Sequence, residues 1–259
     1  MKADVLGVQI NTEPKHEILE LLDARLDSNI STFIVTPYSE SLVAAQKDQE
    51  FRRILNAADF SLPDGYGVIL ASKFLTSPRA SPISERVPGR EFFWDLCALA
   101  ERRGESVFLL GGYGDTPELV TKKLKEKFPN LKIAGIYNKL SFPRKRESRE
   151  TLDSGSEAGM TEKVINIINS SNASFLFVAL GPITQEKWIY NNLSKLRVKL
   201  VMGVGGTFDY IAGKKPLPPR FLASWGLEWL WRLATQPRRF WRITKGVFGL
   251  IWYIIRARI

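Results

Sequence analysis

Short apolar runs alternate with longer amphipathic stretches from the N-terminus to residue 213. The apolar runs, such as VFLL and FLFVAL, are continuous, which is typical of parallel strands buried on both faces. Amphipathic stretches of helical period separate them, so the pattern predicts a mostly parallel sheet with crossover helices. We therefore expect an α/β fold, a Rossmann-like three-layer sandwich. The predicted strands are 4–10, 32–36, 106–110, 132–137, 174–180 and 199–203, and the predicted helices are 14–26, 39–56, 89–103, 116–127, 162–169 and 185–196.

One segment, 141–161, has no apolar period. It reads SFPRKRESRETLDSGSEAGMT and separates a strand from a helix where about 2–6 residues would be normal. We interpret it as an exposed, disordered insertion without a catalytic part, and an ordinary long loop leads to the same functional expectation. Acidic residues interleave with its basic residues, which disfavours a nucleic-acid role.

Residues 214–259 form a basic tail that holds five of the seven tryptophans. The tail has ten Lys or Arg and one acidic residue, whereas residues 1–213 have 27 basic and 26 acidic residues, so the net charge of +10 lies almost entirely in the tail. On a helical wheel the basic side carries Arg238, Arg242, Lys245 and Arg256. The opposite, apolar side carries Phe240, Ile243, Val247, Leu250, Ile251 and Ile254.

This pattern is typical of a helix that lies in a membrane surface. Packing of the helix against the body or a sister subunit is an alternative, and a homo-oligomer could cover its apolar side. Nucleic-acid binding fits less well, because the nearly neutral body offers no extended basic surface. We expect a membrane-binding helical appendage on a catalytic domain that spans residues 1–213.

Composition also indicates a compartment. Cys97 is the single cysteine, so an internal disulfide is excluded and a reducing compartment is expected. The N-terminus MKADVLGVQI has a strand pattern, and we expect no signal peptide. The longest apolar run, 246–255, is shorter than the ~18–20 residues of a spanning helix. We therefore expect a cytoplasmic protein, peripheral on the inner face of the cell membrane.

Candidate chemistry lies where the predicted strands end, because open α/β sheets bind ligands at the carboxyl ends of their strands. Thr36 opens the segment TPYSE, where a hydroxyl either caps the next helix or helps to hold an anion. Asp64 lies between proline and glycine in LPDG. A carboxylate there is either part of a turn or a rigidly held general base.

Two later turns suit a nucleotide. In GPITQE, Gln185 and Glu186 open a helix, where their side chains could bind a base or ribose while helix N–H groups meet phosphate. Capping of that helix is the alternative. In GVGGTFD, Gly205 and Gly206 let the backbone approach a ligand closely, and Asp209 follows them. Neither segment is a GxGxxG or a P-loop, so each alone is a weak signal.

Histidine and metal chemistry are not expected. His16 is the only histidine and lies in the first predicted helix, and the chain contains no Asp-x-Asp. Arginines and helix N-termini would then have to neutralise a leaving diphosphate. We expect neither a metal nor a cofactor.

Several segments in this order resemble the WecG/TagA/CpsF glycosyltransferases, glycosyltransferase family 26. They are TPYSE, ADFSLPDGYGV, RVPGREFF, VFLLGG, LGPITQEKWI, GVGGTFDYIAG and GLEWLWRL…PRRFWR, and they cover nearly the whole chain. The resemblance implies inverting, metal-independent transfer of an N-acetylhexosamine, N-acetylmannosamine or its uronic acid, from a UDP-sugar donor. The acceptor would be a polyprenyl-diphosphate-linked GlcNAc used in cell-surface polysaccharide or teichoic acid synthesis. An α/β body with a C-terminal membrane-targeting appendage is also implied.

The resemblance implies roles for residues of the body. Asp64 matches the catalytic base, which would take a proton from the acceptor hydroxyl. Thr36 matches a threonine near the donor, and Asp209 matches an acid that contacts the donor. Gln185 and Glu186 match the nucleotide-binding pair.

The resemblance also implies roles for arginines of the tail, and the chain differs from the family pattern at two places. Arg232, Arg239 and Arg242 match arginines that close over the site and meet the diphosphate. Tyr38 stands where the family has Asn, so a donor-sugar or acceptor contact must differ. The segment GPITQE moves a proline and lacks a lysine, which affects sugar specificity or diphosphate affinity.

Two other functional classes remain open. A soluble nucleotide-linked α/β enzyme would not need the amphipathic tail and would be expected to carry GxGxxG. A nucleotide-binding membrane-associated adaptor would use the tail but would make Asp64 dispensable.

Overall fold

The computed structural model describes residues 1–28, 30–75, 83–138, 154–219, 222, 228–235 and 240–257. The strands are β1 (Lys2–Val5), β2 (Val8–Asn11), β3 (Thr32–Val35), β4 (Phe60–Ser61), β5 (Ser106–Gly111), β6 (Lys132–Tyr137), β7 (Phe175–Ala179) and β8 (Leu200–Gly203). The helices of the body are α1 (Lys15–Arg25), α2 (Ser39–Ala45), α3 (Gln49–Asn56), α4 (Tyr66–Leu75), α5 (Gly89–Arg103), α6 (Thr116–Lys127), α7 (Ser154–Ser170), α8 (Thr184–Asn192) and α9 (Thr207–Ile211). The tail contributes α10 (Glu228–Thr235) and α11 (Phe240–Arg256).

The main sheet has six parallel strands in the order β4-β3-β8-β7-β5-β6. Successive residues of each central strand point to opposite faces. Phe33 and Val35 belong to the apolar cluster on one face and Ile34 to the cluster on the other. One cluster packs under α2, α3, α4, α7 and α8, and the other under α1, α5, α6 and α9. The predicted three-layer α/β sandwich is therefore confirmed.

Several local predictions were wrong. The predicted strand 4–10 is a hairpin of β1 and β2, because Leu6 and Gly7 turn the chain at positive φ. The predicted helix 39–56 is two helices, since the Asp48 side chain accepts a hydrogen bond from the Phe51 N–H (2.9 Å) and begins α3. Strand β4 and helix α4 had not been predicted.

The helix before β7 begins earlier than the pattern indicated. Helix α7 starts at Ser154, so the predicted disordered insertion at 141–161 overlaps its first turns. The charged and glycine-containing sequence there hid the helical period. The rest of the predicted insertion, up to residue 153, lies outside the described residues.

Helix α11 packs on the body against α2 and α4. Glycines make the approach close, because a Cβ on Gly246 would lie 2.6 Å from Cγ of Glu40, and one on Gly249 would lie 3.2 Å from both Cγ atoms of Val43. Leu250 is buried in the same cluster as α2. Among the described residues, no helix is both long enough and apolar enough to cross a membrane.

The outward side of α11 differs from the apolar side that the wheel predicted. Val247, Leu250 and Ile254 turn toward the body or the cavity described below, and Ile251 lies at the edge between the two sides. The exposed large apolar residues of α11 are Phe240, Trp241, Phe248, Ile251, Trp252 and Ile255. An aromatic surface thus faces solvent opposite the docked side.

Candidate active site

Four strand ends that the sequence singled out lie side by side, because β4, β3, β8 and β7 are consecutive in the sheet. A cavity of about 650 Å³ opens at their carboxyl ends, where α/β sheets bind ligands. The predicted site residues that line it are Thr36, Tyr38, Asp64, Gln185, Glu186, Gly205, Gly206 and Arg242. Segments far apart in the chain thus form one site.

Asp64 is held on a rigid loop. Its backbone N–H donates to the Pro37 carbonyl (3.0 Å), which joins the loop after β4 to the loop after β3. The Pro63 carbonyl accepts from Val87 N–H (2.9 Å), and Gly65 then turns the chain at φ +120°, a conformation that favours glycine. A carboxylate carried on a loop whose backbone is fixed in this way is suited to act as a general base.

Thr36 lies beside the start of α5. A Cβ on Gly89 would lie 2.9 Å from the Thr36 hydroxyl oxygen, so the glycine is what allows α5 to begin so close to β3. The hydroxyl lines the cavity on the strand next to that of Asp64.

Gln185 and Glu186 connect α8 to the glycine turn after β8. Gln185 is buried, and its Oε1 accepts from the Gly205 N–H at 2.8 Å while its Nε2 donates to Glu186 Oε1 at 2.7 Å. Glu186 Oε2 accepts from the N–H of Ile183 at 2.6 Å, which helps to hold this β-branched residue at φ +71°. The capping role weighed from sequence is present, and the same amide and carboxylate also line the cavity.

Burial raises the pKa of Glu186, although hydrogen bonds from Gln185 and from the backbone lower it. Because the folded-state pKa lies above the ordinary value, ionisation of this carboxyl opposes folding as pH rises through that range. A carboxyl with a raised pKa is common where a protein binds ligands.

Asp209 does not line the cavity, which differs from the donor contact implied for it. Its carboxylate is ion-paired with Lys215, and its carbonyl accepts from the N–H groups of Lys214 (2.9 Å) and Lys215 (3.2 Å). These contacts fix the first residues of the tail to α9. The resemblance implied that Asp209 lies near the donor, whereas its side chain on the short helix α9 is paired with Lys215 of the hinge.

The tail reaches the cavity through α11. Arg242 is ion-paired with Glu40, and its guanidinium lies 3.3 Å from the hydroxyl of Tyr38. Burial lowers the pKa of Arg242, but Tyr38 and Glu40 outweigh this and hold the pKa above its usual value. The cation therefore remains charged beside the cavity. Arg239 and the side chain of Arg232 lie outside the described residues.

Other lining residues carried no assignment from sequence. Arg86 is ion-paired with Glu228 of α10 (3.2 Å), and both side chains are largely buried. Arg90 lies with its guanidinium carbon 5.5 Å from the centre of the Tyr210 ring. The segment RVPGR holds both arginines, but only the folded contacts show that they converge on the cavity.

The arrangement suits a sugar nucleotide. Asp64 and Thr36 follow the neighbouring strands β4 and β3, the glycine turn and the amide network follow β8 and β7, and three arginines also line the cavity. Such a cavity can bind a base and ribose, neutralise phosphate and deprotonate a hydroxyl. In the described part of the chain, no group of three or more His, Cys, Asp or Glu is arranged to hold a metal ion.

Comparisons with known proteins identify the family of the chain. The model of the "Glycosyl transferase WecG/TagA/CpsF family" matches residues 3–259. An N-acetylglucosaminyldiphosphoundecaprenol N-acetyl-beta-D-mannosaminyltransferase of Bacillus spizizenii is 30% identical over 233 residues, 90% of this chain and 82% of the relative. Proteins with the same description from Bacillus subtilis (30% identical; 84% of this chain and 77% of the relative) and Staphylococcus aureus (26% identical; 99% and 93%) are also similar. The chain therefore belongs to the WecG/TagA/CpsF family of glycosyl transferases.

Proposed function

We propose that the protein transfers N-acetylmannosamine or its uronic acid from a UDP-sugar to a polyprenyl-diphosphate-linked GlcNAc. The observation that carries the proposal is the convergence of Asp64, the Gln185–Gly205 network and arginines on one cavity at the sheet's carboxyl end. The names of the relatives describe transfer of an N-acetylmannosaminyl group to N-acetylglucosaminyldiphosphoundecaprenol. The product would serve cell-surface polysaccharide or teichoic acid synthesis.

The reaction is a single displacement. Asp64 takes the proton from the acceptor hydroxyl as that oxygen bonds to the anomeric carbon, and the bond to the UDP oxygen breaks. Attack from the side opposite the leaving group inverts the anomeric centre. Thr36 lies beside the donor sugar, and Gln185 and Glu186 bind the nucleotide.

The leaving diphosphate is neutralised without a metal. Arg242 already reaches the cavity from α11, and we assign the same role to Arg232 and Arg239. Cations that are fixed before the reaction stabilise developing charge without reorganising. The Tyr38 hydroxyl accepts a hydrogen bond from Arg242 (3.3 Å) and donates one to Glu40 (3.5 Å), in a place where a smaller side chain would leave space for substrate.

The aromatic side of α11 binds the inner face of the cell membrane. Trp241 is 74% exposed and Trp252 is 51% exposed, on a helix with basic residues at the border. Interfacial aromatics together with cations worth about 1 kcal/mol each near anionic lipids hold a helix at the surface. Because α11 also lines the cavity, this binding would bring the site to the lipid-linked acceptor.

The adaptor and soluble-enzyme hypotheses fit less well. An adaptor has no need of a carboxylate held rigidly in a cavity, and a soluble enzyme has no need of an exposed aromatic helix.

The test uses the full chain, UDP-N-acetylmannosamine and a short-chain polyprenyl-diphosphate-GlcNAc acceptor. Asp64→Asn should lower kcat by about 10²–10⁴-fold and leave UDP affinity unchanged. Asp115→Asn is the control, because that carboxylate pairs with Lys214 on the surface and does not line the cavity. Full transfer by Asp64→Asn would show that Asp64 is not the base.

A further inference from the structure

Arg90 is an arginine of the cavity that the proposed reaction has not used. It is the second residue of α5, and its half-buried side chain extends into the cavity. Its neighbour Gly89 lies against Thr36, so the side chain starts beside the strand end of β3. The guanidinium then lies over the ring of Tyr210 in α9, the helix that follows the glycine turn.

The charges of the cavity single out Arg90. Arg86 pairs with Glu228 and Arg242 pairs with Glu40, so each of these cations already faces a carboxylate. Arg90 has no carboxylate within ion-pair distance, as judged over the part of the chain that the structure describes. Of the arginines described around the cavity, it is the one whose charge is not neutralised by a neighbouring acid.

The contact with Tyr210 favours ligand binding. The Tyr210 ring lies against the flat face of the guanidinium and holds it by cation–π attraction. Stacking on a ring does not occupy the N–H groups along the edge of a guanidinium, and these groups form the planar fork that binds two oxygens of one anion. The half-buried guanidinium has no carboxylate partner among the described residues, so its charge is available for an anion that arrives with the ligand.

We propose that Arg90 binds a paired-oxygen anion of the sugar-nucleotide donor, and this rests on the proposed function. The guanidinium lies between the Thr36–Asp64 side of the cavity and the glycine turn after β8, where the bond to the anomeric carbon would lie. Two donor groups have the required chemistry at that place: the diphosphate, and the carboxylate of a uronic acid sugar. Arg90 thus acts as a binding and specificity residue.

The experiment measures affinities of the full-length wild type, Arg90→Ala and Arg90→Lys by calorimetric titration. The probes are uridine, UDP, UDP-N-acetylmannosamine and UDP-N-acetylmannosaminuronic acid. If Arg90 binds the diphosphate, Arg90→Ala should weaken all three diphosphates about tenfold or more and change uridine less than twofold. If it binds the sugar carboxylate, only the uronic acid donor should weaken tenfold. Arg90→Lys should fall between wild type and alanine, because it keeps the charge and loses the fork.

Two controls separate binding from folding. Arg102→Ala removes an arginine from the other end of α5, where it pairs with Asp23 (2.6 Å) outside the cavity, and should leave every affinity unchanged. The thermal midpoint of Arg90→Ala should stay within a few degrees of wild type. Tyr210→Leu, which removes the ring under the guanidinium, should weaken the same ligands as Arg90→Ala, by a smaller factor.

The inference is overturned if Arg90→Ala binds all four probes within twofold of wild type, or if uridine weakens as much as UDP. If the wild type binds and transfers the sugar and Arg90→Ala has the same affinities, only the role of Arg90 is refuted and the proposed function stands. A wild type that binds neither UDP nor a UDP-sugar would refute the proposed function and this inference together.

Discussion

Replacing Gly246 by alanine tests whether α11 is docked on the body. The added Cβ would lie 2.6 Å from Cγ of Glu40 and 3.4 Å from its Cα, distances that require movement of one helix or of Glu40. The Glu40 side chain is not free to move, because its carboxylate is ion-paired with Arg242 and lies 3.5 Å from the Tyr38 hydroxyl. Either response disturbs the contact between α2 and α11.

Two opposing effects decide the size of the change. Alanine stabilises a helix interior by about 1 kcal/mol relative to glycine. Overpacking at a close contact costs about 1–3 kcal/mol. Gly159 in α7 isolates the first effect, since a Cβ there would meet no atom within 4 Å. We expect Gly159→Ala to stabilise the protein by up to about 1 kcal/mol and Gly246→Ala to destabilise docking by up to about 2 kcal/mol.

Hydrogen exchange of the α11 amides is the appropriate assay, because a terminal helix can open without global unfolding. Gly246→Ala should increase exchange around Leu250 by up to about 30-fold, and the denaturant midpoint of the body should change little. Gly249→Ala should have a smaller effect, since its contacts with Val43 are 3.2 Å and need only a small shift. If Gly246→Ala protects α11 as Gly159→Ala protects α7, the helix does not dock through this face.

Three further predictions concern pH, metal and membrane. Burial raises the pKa of Glu105, but hydrogen bonds from Lys199 and Ser174 outweigh burial and lower this pKa in the folded state. The ionised carboxylate therefore stabilises the fold above about pH 4.5, and this stabilisation is lost as the pH falls through the folded-state pKa. In urea titrations, Glu105→Gln should therefore be less stable by about 1 kcal/mol at pH 7, with the difference vanishing in acid; an equal difference at all pH values would contradict this. EDTA should leave the transfer rate unchanged, and loss of activity that Mg²⁺ restores would refute metal-free chemistry. Trp241→Ala and Trp252→Ala should each weaken binding to anionic liposomes about tenfold in flotation assays, and unchanged binding would refute the assigned membrane face.

The elements with long, continuous apolar sequences could be predicted, and short or glycine-rich elements could not. The run FLFVAL predicts β7, because a strand covered on both faces needs apolar residues at every position. Strand β4 has only Phe60 and Ser61, too few residues for any period, and its partner β3 is what makes it a strand. The mostly apolar segment 4–10 predicted one strand, but the turn at Leu6–Gly7 divides it into β1 and β2.

Residues of the candidate site could be predicted where a polar residue follows a predicted strand, as Thr36 follows β3 and Gln185 follows β7. Asp64 was singled out by its turn and by the family resemblance, since β4 had not been predicted. Arg90 was missed because its significance depends on which cations already have acidic partners, and those partners, Glu40 and Glu228, come from distant segments. Asp209 shows the reverse case. The family resemblance implied a donor contact for it, whereas the folded chain pairs it with Lys215.

Helix α11 of the tail has two sides with different functions. Arg242, Val247 and Leu250 of α11 close one wall of the cavity, while Trp241 and Trp252 face outward on the other side. The wheel predicted an amphipathic helix, but a wheel cannot show whether its apolar side meets lipid or protein: Leu250 of that side is buried against the body, whereas Trp252 faces outward. Gly246 marks the docked side of α11, because the absence of a side chain is an advantage only where another helix lies in close contact. A truncation after Gly213 should therefore lower donor affinity in solution as well as liposome binding, whereas changes to the tryptophans should lower liposome binding alone.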